Sequence, residues 1–105
     1  MFTVIYKWKV FEDKEQQFIE SWKKVTEILY IKHGSLGSRL HKTYDGFFLA
    51  YAQWPDLETW EKDKEFTEEE QIIRNNIQDS VEERFEPITC DVLDDLLKTV
   101  PAKTI

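Results

Sequence analysis

LGSRLHKTYDGFFLAYAQW, residues Leu36 to Trp54, consists of two short alternating runs on either side of Asp45-Gly46. Asp-Gly suits the two-residue turn of a tight hairpin, in which both central positions need positive φ. That turn sets Tyr44 opposite Phe47, followed by Lys42–Leu49, Leu40–Tyr51 and Ser38–Gln53 on one face. Thr43–Phe48, His41–Ala50, Arg39–Ala52 and Gly37–Trp54 fall on the other, so His41 and Arg39 are expected to share a face with Trp54. Both faces carry apolar groups, which predicts cover on both sides. The chain's own helices can supply one cover; the other must come from elsewhere.

Upstream, Phe18, Trp22, Val25 and Leu29 recur at helical spacing, and Gly34 after His33 supplies a left-handed stop. Asp13 with Gln16 three places on resembles a capping box for this helix. Residues 2–10 alternate, with Phe2, Val4, Tyr6, Trp8 and Val10 on one side, and predict a strand. Downstream, Trp54-Pro55-Asp56 ends the hairpin, and Asp56 caps a short helix from Leu57 to about Lys64, with Pro55 and Trp60 as its staple. Thr67 and Glu70 form a capping box that opens a third helix, striped by Ile73, Ile77, Val81 and Phe85 and stopped by Pro87. Ile88 to Leu93 alternates again and predicts a last strand.

The order β-α-β-β-α-(α)-β predicts an α+β fold: a ferredoxin-like split β-α-β domain with a four-stranded antiparallel sheet in the order 4-1-3-2. Residues 1–95 form one domain. Residues 96–105, with Leu97, Val100 and Ile105 around Pro101, form a C-terminal tail expected to lie against a partner subunit. The bare sheet face would be an exposed apolar patch on a monomer, which predicts a symmetric homodimer paired sheet to sheet.

Composition narrows the function. The chain has 105 residues, 14 basic and 21 acidic, for a net charge of −7. That length suits one domain, and that charge argues against nucleic acid and against an anionic membrane surface. No apolar run approaches a spanning helix, and Cys90 is the single cysteine, so a reducing, cytoplasmic setting is expected. No motif supports a metal site: His33 and His41 lie on different elements, and the acidic runs have dipole or solvation explanations. His33 to Ser38 has two glycines but no phosphate-cradle ending. Cys90 has no nearby base and is expected to act as a small hydrophobe.

Aromatic residues remain, at 14% of the chain with four Trp. Trp8, Trp22, Tyr51, Trp54 and Trp60 come from the elements that would enclose a helix–sheet cavity. Such an apolar space suits a small planar aromatic ligand. Taken singly, each of these residues is more often core than pocket.

Phe18-x-x-x-Trp22, His33 through His41, Asp45-Gly46-Phe47, Tyr51-Ala52-Gln53-Trp54-Pro55 and Glu58-x-Trp60 together resemble the antibiotic biosynthesis monooxygenase (ABM) family. The resemblance implies a dimeric α/β barrel built from the fold above. It also implies cofactor-independent oxidation of polycyclic phenols, anthrones or quinols by molecular oxygen. It does not extend to the family's haem degraders. Where those carry an Asn on strand one, a Trp late in helix two and an iron-binding His on the next helix, this chain offers Lys7, Asp63 and no histidine. On this basis His41 is the expected proton acceptor and Arg39 its electrostatic support, as the catalytic pair. Trp22, Tyr51 and Trp54 would be the walls and Trp8 the floor, with Trp60 also binding the substrate, and no cofactor would be needed. The alternative is a non-catalytic, dimeric small-molecule-binding or scaffold module on the same fold.

Overall fold

The computed structural model describes residues 1–98. The chain runs β1 (Phe2–Val10), a 3-10 turn (Glu12–Lys14), α1 (Glu15–Lys32), β2 (Ser38–Lys42), β3 (Phe48–Trp54), α2 (Leu57–Glu61), α3 (Glu68–Ser80), β4 (Val81–Arg84) and β5 (Ile88–Asp91). All pairings are antiparallel, in the order β2-β3-β1-β4, with β5 also on β1. The expected α+β fold and strand order are therefore present. The sheet has five strands rather than four, because Glu86-Pro87 divides the last edge into β4 on Trp8–Val10 and β5 on Phe2–Ile5. Proline has no N–H to give the ladder, so it is tolerated only at such an edge.

Three local expectations are corrected. The third helix ends at Ser80, and Val81 is already extended. Ser80 is fully buried, its hydroxyl donates to the Ile77 carbonyl, and its own carbonyl accepts from the Phe11 N–H at 3.0 Å. These bonds end the helix, and Val81 and Phe85, four apart, fit a strand face as well as a helical stripe. The hairpin register is one residue from the two-residue turn: Lys42 pairs Phe48, Leu40 pairs Ala50 and Ser38 pairs Ala52. Thr43 and Phe47 close a three-residue loop in which Gly46 N–H donates to Thr43, Gly46 takes φ 91° and the Thr43 hydroxyl accepts from Phe47 N–H. At the start of α1, Lys14 is the capping residue and no side chain caps it, so Asp13 does not close a box.

The inner sheet face alternates strictly along β3, with Phe48, Ala50, Ala52 and Trp54 buried. Opposite them on β1 stand Trp8, Tyr6, Val4 and Phe2. Phe18 of α1 is fully buried between Trp8 and Phe48, with ring centroids 5.2 and 5.1 Å away. Burial of such a ring contributes about 2–3 kcal/mol. α1 and α3 pack on each other above this face and are joined at both ends. Lys32 meets Glu70 at 2.6 Å, and Lys14 with Gln17 meets Asp79 at 3.0 Å. The expected tail is described only to residue 98; Val100, Pro101 and Ile105 lie outside the described residues.

Candidate functional site

Small side chains in the middle of the inner sheet face leave space beneath the helices. The row Ser38–Ala52–Val4 and the row Leu40–Ala50–Tyr6 put Ala50 and Ala52 at its centre. Above them is a cavity of about 430 Å³, within the range of small-ligand sites. Its floor is Tyr6, Trp8, Ala50 and Ala52; Trp22, Val25 and Leu29 of α1 and Ile77 of α3 form the roof; Trp60 and the segment after it complete the lining. Trp22, Val25 and Leu29 face inward yet stay only half-buried, because the space beneath them is unfilled.

A few polar groups converge on this apolar space. The Trp60 indole N–H donates to the Tyr6 hydroxyl at 2.9 Å. Tyr6 also stacks on Trp8, with centroids 5.6 Å apart and planes 9° from parallel. Burial raises the Tyr6 pKa; the Trp60 bond and the Arg84 charge oppose it. Tyr6 is therefore a neutral phenol at neutral pH, and its own O–H finds no acceptor among the described residues. The Ser38 hydroxyl, on the cavity lining, is buried without a hydrogen-bond partner.

The charged lining is mostly cationic: Lys62, Lys64, Arg74 and Arg84 against Glu61 and Asp63. Arg74 lies on the Phe66 ring, 4.3 Å from its centre, with one nitrogen 3.4 Å from Gln71. Lys64 donates to the carbonyls of Trp60 and Lys62 at 2.7 and 2.9 Å. Burial lowers its pKa; Asp63 opposes the shift and Arg74 adds to it.

Of the residues singled out from sequence, Trp8, Trp22 and Trp60 come together here. Trp54 does not line the cavity: it is 2% exposed in the core with Phe2, Val4 and Ala52, under the Lys64 ammonium at 4.9 Å. Arg39, His41 and Tyr51 are brought together elsewhere. The observed register pairs Arg39 with Tyr51 and His41 with Leu49, on the sheet face away from Trp54 and the helices. There they border a depression of about 380 Å³ with Leu36, Gln53 and Leu97. Arg39 and His41 also border a groove at the β2 edge that reaches Trp22. The shared face expected for His41, Arg39 and Trp54 is thus not formed.

Tyr6, Ser38, Arg74 and Arg84 also line the cavity, although no sequence motif singles them out. Tyr6 was legible, since it shares the period-two face of Trp8. Arg84 was hidden because its segment looked helical. Among the described residues no cluster of His, Cys, Asp and Glu could hold a metal ion, and no helix is long and apolar enough to cross a membrane.

No protein-family model matches the sequence, and no curated protein matches it significantly. Solved structures do match in shape. A protein from Nitrosomonas europaea, named as a candidate antibiotic biosynthesis monooxygenase, is 20% identical with a TM-score of 0.72 over 90% of this chain and 100% of its own. A variant of SnoaB, a cofactor-independent oxygenase from Streptomyces nogalater, is 12% identical with a TM-score of 0.70 over 92% and 97%. A further antibiotic biosynthesis monooxygenase is 15% identical with a TM-score of 0.68 over 90% and 100%. The chain has the α+β fold of the antibiotic biosynthesis monooxygenases.

Proposed function

We propose that this protein is a cofactor-independent monooxygenase that uses molecular oxygen to oxidise a planar phenolic, anthrone or quinol-like molecule in the inner cavity. The ring-lined space bounded by Tyr6, Trp8, Trp22 and Trp60 is the observation that carries this reading. The likeness in fold to SnoaB supports it. Triplet oxygen reacts poorly with closed-shell organics but accepts an electron from an electron-rich anion. One oxygen atom then enters the substrate ring, and the other leaves as water with the displaced hydrogens. The protein's part is to favour the anion, hold it flat and exclude water. The aromatic floor and roof hold a planar ring. The mostly cationic charged lining favours the ionised substrate, and the Tyr6 O–H is free to donate to its oxygen.

His41 and Arg39 face away from this cavity, so on this reading they serve the outer face instead. That face carries Arg39–Tyr51–Ile5–Ile88 across the sheet, with Ile88 61% exposed, and suits a second copy of the chain packed sheet to sheet. An oxygen electrode with a panel of anthrones and quinols, run beside light scattering, tests the whole reading. Saturable, metal-independent uptake is expected from a particle of twice 12.7 kDa. Trp22→Ala should reduce turnover about 10–100-fold by loosening the substrate's hold, and His41→Ala should leave it unchanged. Tight binding of the panel without uptake would instead favour a non-catalytic binding module.

A further inference from the structure

We infer that the cavity selects an aromatic ligand bearing a carboxylate, received by Arg84 and Arg74 of the lining while the rings lie on Tyr6 and Trp8. The inference rests on the inner cavity being the ligand site, as proposed above, but not on any oxidation there. Three observations point to it. First, the chain carries 21 acidic residues against 14 basic ones, yet neither Arg84 nor Arg74 pairs with a carboxylate among the described residues. In so acidic a protein, a lining where Lys62, Lys64, Arg74 and Arg84 outnumber Glu61 and Asp63 has a local charge balance opposite to that of the molecule. Second, both arginines reach the cavity lining. Arg84 is held on the edge strand opposite Trp8, close enough that its charge acts on Tyr6. Arg74 is stacked on Phe66 and held by Gln71, so part of its planar fork is still free. Such a fork matches a carboxylate's two oxygens. Third, the lining holds donors without acceptors: the Tyr6 O–H, whose oxygen already accepts from Trp60, and the buried Ser38 hydroxyl. A ligand with acceptor oxygens at both ends of a flat ring system satisfies all of them; a bare hydrocarbon leaves them unpaired, which costs affinity.

The test measures equilibrium binding by quenching of tryptophan fluorescence, with anthraquinone-2-carboxylate compared against its carboxamide. The intact protein should bind the carboxylate at least about tenfold more tightly, the size of one charge-assisted hydrogen bond. Arg84→Gln together with Arg74→Gln should abolish that preference, the carboxylate losing more affinity than the carboxamide. Arg84→Lys should keep part of it, and Arg39→Gln on the opposite sheet face should keep all of it. Thermal unfolding of each variant checks that the fold is retained. Equal affinity for the two probes, binding of neither, or a preference that survives the double substitution would overturn the inference. A preference for the carboxylate without any oxygen uptake would leave it standing and remove only the proposed oxidation.

Discussion

Gly34 shows how one missing side chain ties an element boundary to the cavity. It ends α1 at φ 80°, where the Ser35 N–H reaches back to the Leu29 carbonyl at 3.2 Å. A Cβ placed there would lie 2.9 Å from the Thr59 methyl of α2. Gly34→Ala should therefore cost about 1–2 kcal/mol in backbone strain alone, with the clash in addition. It should also displace Trp60, the neighbour of Thr59 and donor to Tyr6. The check is a lower urea midpoint with an unchanged slope, together with a shift in tryptophan emission. Gly46, at φ 91° with no atom within 4 Å of its would-be Cβ, is the comparison. Gly46→Asn should shift the midpoint much less, since Asn tolerates the left-handed region. At this scale the glycine stop and the inward Trp8 were legible, because each follows from local rules. Trp54 was not: a ring at a strand end is core or pocket wall according to what packs over it, here Lys64 from ten residues on.

Among the elements, α3 was legible at its start and misleading at its end. The Thr67–Glu70 box forms as the sequence announces, with the Thr67 hydroxyl accepting from the Glu70 N–H at 3.1 Å and the Glu70 carboxylate from the Thr67 N–H at 3.0 Å. Thr67→Ala should cost about 1 kcal/mol, read as a lower denaturation midpoint, and Thr67→Ser should restore most of it. The helix end depended on a distant bond, from Phe11 N–H to the Ser80 carbonyl, that no local pattern announces. The hairpin was legible as an element but not in register. Asp45-Gly46 serves a two-residue turn or the last part of a three-residue one, and the Thr43 hydroxyl decided for the longer loop. That single step moved Arg39 and His41 to the opposite face from Trp54, since side chains alternate with a period of two. The misplacement of Arg39 and His41 in the expected site traces to it.

For the molecule as a whole, α1 and α3 are antiparallel and held at both ends by carboxylates. Glu70 has its pKa lowered by Lys32 and by the Thr67 N–H; Asp79 has its lowered by Gln17 and Lys14. A carboxyl whose folded-state value lies below its unfolded one adds stability that is fully present above the unfolded value. That stability is lost as pH falls through the folded one. Stability should therefore fall on acidification below about pH 4, and the fall should be shallower in Glu70→Gln with Asp79→Asn. Urea midpoints between neutral and strongly acidic pH measure it, and added salt should weaken the effect because both pairs are partly exposed. The divided edge of the sheet has a further effect. With Pro87 lacking a donor, and the β1 ladder shifting register between Lys9 and Val10, that margin presents no continuous template for an incoming strand. Concentrated solutions should thus resist end-on fibril growth from this side, and straightening the break with Pro87→Thr would be the change most apt to seed it.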